Sequence, residues 1–233
     1  MNIPTPVAND AAIHLLNNIA EFKPGMPVYD IHVEGWKAKI RRLYRENKTD
    51  RTNFHIVLGM SALHQKDEQE AYNNLRSAIQ LKHNSWYVHQ CYLIMLFAFG
   101  RIEDVVDHIL LVRDSFPMEG HSIYNWLLNT GYIDNEKLGN HLFPNVCKLA
   151  HICKRNNILL SMVKLGHLED DHDRWFRYSF LLNESPETTR KIQEEWHDFM
   201  IDQDINVLGD HKISISVEST DLSVKMVSDQ YHY

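Results

Sequence analysis

The sequence predicts a mainly α protein: a solenoid of tandem helical hairpins, with flanking helices on both sides and a C-terminal β-hairpin. Three observations predict it. Between Asn53 and Met118 a helical pattern recurs after a shift of 34 residues, and self-similarity at that period marks a stacked helical repeat. On both sides of this stretch apolar residues fall at helical spacing, as far as about residue 201. From residue 212 the period changes to two, with Ile213, Ile215 and Val217 alternating with Lys212, Ser214 and Ser216.

The elements follow in chain order. Residues 1–10 carry two prolines and no apolar periodicity, so they form a loose arm. Asp10 caps a helix over Ala11 to Glu21 that carries Ile13, Leu15, Leu16 and Ile19, and Lys23-Pro24-Gly25 breaks it. Asp30 opens a second helix, Ile31 to Asn47, with Trp36, Ile40, Leu43 and Tyr44 along one face. Two hairpins come next: Phe54 to Gln65 with Glu68 to Leu81, then Trp86 to Phe99 with Glu103 to Ser115. Ala62, Ala71 and Ala78 are small where paired helices approach, and Leu58, Leu75 and Leu81 fill the spaces around them. In the shifted copy these slots hold Leu96, Val105 and Val112, and Tyr92, Ile109 and Ser115. A third unit begins with a helix over His121 to Thr130, which Gly131 ends early.

Beyond it the helical pattern continues. Pro144 suits the first turn of a helix with Val146, Leu149, Ala150 and Ile152. Ile158 to Leu165 reads as a further helix ended by Gly166, and aromatic-rich Asp173 to Asn183 as a buried one. Ser185-Pro186-Glu187 starts the last helix, with Pro at the first helical position and Glu at the positive end of the dipole. That helix reaches Ile201, with Ile192, Trp196, Phe199 and Met200 inward. In the tail, residues 212–217 pair with Leu222 to Met226 across the turn Glu218-Ser219-Thr220-Asp221. A lone hairpin is marginal in water, so its apolar face needs the helical body, a second copy of the chain or a partner. By pattern the chain divides into an arm with capping helices (1–51), the repeats (52–132), a helical region (133–208) and the hairpin tail (209–233).

The skeleton of Leu58-Gly59, Ala62, Ala71, Leu75 and Ala78 resembles the tetratricopeptide repeat, with Gly100 and Pro117 fitting the second copy. The resemblance covers about two repeats, residues 52–119. It departs from the pattern at His55, Ala62 and His83, where the family has Trp, Tyr and Pro. Such repeats imply a binding scaffold without chemistry of its own. The resemblance also implies that the first helix of each pair lines a concave groove. Its positions here are Asn53, Ile56, Met60, Leu63 and His64, then Tyr87, Gln90, Ile94 and Phe97, then His121, Tyr124 and Leu128. Family members that clamp a C-terminal carboxylate place Lys and Asn there. These slots are mostly apolar or aromatic, which favours an extended or helical segment anchored by its side chains. The expected partner-binding residues are therefore Ile56, Met60, Leu63, Tyr87, Gln90, Ile94, Phe97 and Tyr124. The flanks could instead fold back and fill the trough, or cap the repeats.

Composition sets limits on the alternatives. The chain has 233 residues, 44% of them hydrophobic and 24% charged, which is ordinary globular usage. A formal charge of −7 argues against nucleic-acid binding by the surface as a whole. Lys37, Lys39, Arg41, Arg42, Arg45 and Lys48 nevertheless make a basic row on the second helix, the candidate face for an acidic protein or, as a further competing reading, for nucleic acid. A charged row of this kind on a packing helix is more often a solvated surface. Three cysteines without regular spacing do not make a disulfide framework, and residues 1–12 carry neither the basic start nor the apolar core of a secretory signal. The longest apolar run, Tyr92 to Phe99, is far short of the roughly 20 residues of a membrane span. The expectation is a cytoplasmic protein, with no membrane partner.

Two clusters could carry chemistry. Cys147, His151 and Cys153 stand at i, i+4 and i+6, and the last points away from the converging pair. His167, Glu169, Asp170, Asp171, His172 and Asp173 could hold a divalent ion or move protons, the basis of a metal-dependent enzyme as the competing reading. They fall at an apparent interhelical turn, where polar residues are expected anyway. Phosphate-loop, nucleophile-elbow, dinucleotide and kinase motifs are absent from the sequence. The expectation is a protein-binding module with no catalytic residues, metal or cofactor, and a homodimer through the tail hairpin as a possible assembly.

Overall fold

The computed structural model describes residues 6–116, 136–170, 173–202 and 213–220. It is mainly α with one small sheet, in two compact units, Met1–Leu96 and Phe97–Tyr233.

The first unit holds α1 (Pro6–Ala20), α2 (Asp30–Arg45), α3 (Arg51–His64), α4 (Glu68–Leu81) and most of α5 (Trp86–Ala98). Each break between these helices has a local cause. Lys23-Pro24-Gly25-Met26 is a tight turn, with Gly25 at φ 81° and the Met26 amide donating to the Lys23 carbonyl over 3.0 Å. α2 and α3 both end on a left-handed residue, Asn47 at φ 55° and Lys66 at φ 58°. In each case the next amide reaches back five residues into the helix, Lys48 to the Leu43 carbonyl and Asp67 to that of Ala62. Asp50 and Asp67 then cap the following helices, their carboxylates accepting from the amides of Asn53 (2.7 Å) and Glu70 (2.9 Å).

Side-chain contacts fix the helix directions. Leu75, late in α4, lies against Gly59 of α3, and Asn74 bonds His55, so α3 and α4 are antiparallel. Tyr44 at the end of α2 stacks on Phe54 at the start of α3 (4.5 Å), while Trp36 in its first half meets His64 at the end of α3 (5.8 Å). Phe22, just after α1, also meets His64. Thus α1 runs with α3, and α2 runs with α4. The core of this unit includes Leu15, Leu16, Ile19, Val33, Ile40, Ile56, Leu63, Ala71, Leu75, Ala78 and Leu93.

In the second unit Gly100 ends α5 at φ 68°, a conformation that disfavours any side chain. A Cβ there would also lie 2.9 Å from the Ala150 carbonyl oxygen. α6 (Ile102–Val112) follows, then α7 (Glu136–Arg155), which carries Pro144 in its interior rather than in its first turn as expected. Asn157 at φ 55° closes α7, with the Ile158 amide donating to the Cys153 carbonyl.

The sheet corrects the sequence reading. The segments expected as helices over Ile158 to Leu165 and Asp173 to Asn183 are strands, β1 (Leu160–Asp170) and β2 (Asp173–Leu182), paired antiparallel. Gly166 lies inside β1, opposite Arg177. The deciding pattern is period two: the apolar Tyr178, Phe180 and Leu182 are buried on one face, and Arg177, Ser179 and Leu181 alternate with them on the other. Aromatic density suits a buried helix and a strand alike by burial, but aromatic residues favour strands. α8 (Pro186–Asp202) begins as expected, the Ser185 hydroxyl accepting from the Thr188 amide. It buries Ile192 and Trp196.

β3 (Ile213–Ser219) is the first arm of the expected tail hairpin, and its partner is β2, in parallel. The expected return arm, Leu222 to Met226, and the His121 to Thr130 helix lie outside the described residues. Ile215 and Val217 are buried on the inward face, as alternation requires. α8 packs on β3, and the Gln193 side-chain carbonyl accepts from the Val217 amide over 2.6 Å. The three strand ends are tied together by Asn183, which donates to Ser161 (2.9 Å) and accepts from Thr220.

Candidate functional site

α3 is apolar almost all round, and such a helix is buried on more than one side. α4 packs on one side of it, and α1 and α2 pack on others. Of the expected groove residues, Ile56 and Leu63 are core positions, as is Phe97 in α5. A side chain enclosed this way cannot touch a partner unless its neighbours move. Met60, Gln90 and Ile94 are half-buried, and Tyr87 is 45% exposed. Tyr124 lies outside the described residues. The accessible part of the expected face is therefore Met60 on α3 with Tyr87, Gln90 and Ile94 on α5. Tyr87 and Cys91 are one helical turn apart and hydrogen-bonded. Burial raises the Tyr87 phenol above its usual range and pushes the Cys91 thiol up to about 12.

The basic row on α2 loses its anchor to the fold. Lys37 is 5% exposed, and its ammonium donates to Glu70 (2.7 Å) and Gln65 (2.5 Å). Gln65 donates in turn to Glu34 over 3.0 Å, so one buried cation joins α2, the end of α3 and the start of α4. At the other end Lys48 pairs with Glu46 at 2.8 Å and holds that exposed carboxyl below its usual range. The signal for Lys37 was available: it stands four residues after Val33 and three before Ile40, on the apolar stripe of α2. Breaking this pair should cost more than removing it. We expect Lys37→Ala to lower unfolding free energy by about 2–3 kcal/mol, and Lys37→Met with Glu70→Gln by less than about 1 kcal/mol. Urea midpoints of the two variants check this, and equal losses would refute it.

The clusters considered for chemistry are dispersed. On α7, Cys153 is buried, Cys147 half-buried and His151 exposed. Burial pushes both thiols up to about 12, that of Cys147 with help from the Glu103 carboxylate, so neither supplies a thiolate at neutral pH. The His167 to Asp173 run sits at the closed end of the β1–β2 hairpin, not at an interhelical turn, with Asp170 opposite Asp173. Asp171 and His172 lie outside the described residues. Among the described residues no three His, Cys, Asp or Glu side chains converge as a metal site would need.

A third polar group, not anticipated from the sequence, lies across β2 and β3. Ser179 donates to Glu218 (2.6 Å) and shares a hydrogen bond with Ser216 (3.0 Å). Arg177 bonds Ser216 (3.1 Å) and pairs with Glu218 (2.7 Å). Every member is partnered within the group, as in a cross-strand polar ladder. No helix among the described residues is long and apolar enough to cross a membrane. No family model matches the chain, and no curated protein or solved structure matches it either.

Proposed function

We propose that the chain is a non-enzymatic protein-binding module of tetratricopeptide-like build, of the adaptor, chaperone or inhibitor type. It holds a helical or extended segment of a partner protein on the face carried by the first helices of successive pairs. The observation that supports this most is the alternation of direction in the first unit. α1 and α3 run one way and α2 and α4 the other, so α1–α2 stands before α3–α4 as a preceding pair. Close approach at Gly59 fits the same reading, since the family's small positions lie at this crossing.

The binding side chains are Met60, Tyr87, Gln90 and Ile94. Tyr87 is the anchor, because an exposed aromatic ring offers large contact area at little entropic cost. Ile56, Leu63 and Phe97 are core residues, so charged substitutions there would report on folding instead of binding. The test is capture from a lysate of the source cell by wild type and by a Tyr87→Ala/Gln90→Arg double variant whose circular dichroism matches. A protein retained by wild type should be held at least about tenfold more weakly by the variant. Equal retention by both would remove this face from consideration.

A further inference from the structure

His64 closes α3 where the turn after α1 and the first half of α2 meet it. Its ring lies edge-on to Phe22 (centroids 6.2 Å, 77°) and to Trp36 (5.8 Å, 67°), and those two rings lie 5.5 Å apart. Both imidazole nitrogens are enclosed, neither makes a well-formed hydrogen bond, and the nearby Ile19 backbone offsets the burial of the ring only in part. A neutral ring is an acceptable apolar filler here. An imidazolium carries two donors and a full charge, and it needs acceptors or water on both nitrogens.

The charged groups on the surrounding elements do not supply them. α1 and its turn bring Glu21 and Lys23, α2 brings His32, Glu34 and Lys37, the end of α3 brings Lys66, and α4 with its cap brings Asp67 and Glu70. Lys37 is paired to Glu70, Glu34 accepts from Gln65, and the Asp67 carboxylate caps α4. Aromatic rings offset a cation only partly.

We propose that the docking of α1 on α3 is an acid-sensitive latch, in which protonation of His64 frees Ile19 and Phe22 from the end of α3. The turn at Lys23 to Met26, with its left-handed glycine, is the point about which α1 swings. Burial brings the His64 pKa down to about 4, whereas the opened form exposes the ring to water and restores the ordinary value. The open form therefore binds the extra proton between these limits. The closed form is fully favoured above pH 6.5 and loses ground as pH falls towards 4. From those two values the closed-to-open ratio drops about thirtyfold by pH 5. The latch does not depend on the partner-binding reading, because the opening is a property of the chain alone.

Amide hydrogen exchange on the full chain tests it, at pH 7.5, 6 and 5 with intrinsic rates corrected, α4 serving as internal reference. Protection of α1 should fall about thirtyfold between pH 7.5 and pH 5 while that of α4 holds, and His64→Phe should flatten the fall. A wild-type fall that persists in His64→Phe, no fall at all, or a parallel fall in α1 and α4 would overturn the latch. Should His64→Phe misfold, proton NMR of the wild-type imidazole decides. A titration near pH 4 with coincident loss of the α1 signals supports the latch, and an ordinary titration near 6.5 without such loss refutes it.

Discussion

Gly59→Val is expected to destabilise the first unit by about 2–4 kcal/mol. A Cβ at residue 59 would lie 2.6 Å from Cγ of Leu75 and 3.3 Å from the Ala71 carbonyl oxygen. Cγ is the branch point of a fully buried leucine, and the carbonyl belongs to the backbone of α4. Neither can move aside without pushing the two helices apart. Leu75→Ala alone should cost about 2–5 kcal/mol, because it leaves a cavity in a close-packed crossing. In Gly59→Ala/Leu75→Ala the new methyl group partly fills that cavity. The double variant should therefore be more stable than the two single losses, added together, would make it, by about 1 kcal/mol or more. Denaturant unfolding of Gly59→Ala, Leu75→Ala and the double variant measures this coupling, and strict additivity would mean that the two residues do not touch as described.

That pair also shows what the sequence made legible. Leu58-Gly59, Ala71, Leu75 and Ala78 carry helical period and small-residue spacing together, and α4 falls on the expected residues, Glu68 to Leu81. Turn chemistry was readable in part: Ser185 caps the last helix at its expected start, whereas α1 begins at Pro6, ahead of Asp10, and α3 begins three residues before Phe54, capped by Asp50 as α4 is by Asp67. The sheet was not legible. β1 and β2 are dense in apolar and aromatic residues, and in such segments helix and strand periods compete. β3 revealed its period and its inward face, but alternation says nothing about which strand lies alongside. Its partner proved to be β2, reached by way of α8, rather than the following residues. The candidate site was legible as a helix face, while burial divided it. Ile56, Leu63 and Phe97 differ from Tyr87 only in what the rest of the chain lays over them. Lys37 and His64 were misread for a related reason: a charged or polar letter signals surface until its neighbours on the stripe are counted.

Trp196→Ala should produce the other large loss, about 3–5 kcal/mol, felt in the second unit. Trp196 is 1% exposed and is among the largest enclosed side chains of the described residues. It lies on α8, which packs against both β3 and α7. The same helix supplies Gln193, whose side-chain carbonyl takes the Val217 amide of β3 at 2.6 Å. Removing the indole withdraws the apolar contact that holds α8 where this hydrogen bond is made. Among the described residues β3 has β2 on one side only, and an edge strand depends on whatever covers its free side. Trp196→Phe keeps a ring in the site and should cost less, about 1–2 kcal/mol. Phe199→Ala removes a half-buried ring that lies 5.7 Å from Trp196 and under the Lys148 ammonium at 4.9 Å. Its cost should fall near that of Trp196→Phe, at about 1–2 kcal/mol. Hydrogen exchange at the Val217 amide is the sharper readout, because it reports on β3 itself. It should accelerate most in Trp196→Ala, to a smaller extent in Gln193→Met, and least in Phe199→Ala. If exchange at Val217 is unchanged in Trp196→Ala while overall stability falls, α8 does not hold β3, and the strand owes its place to β2 alone.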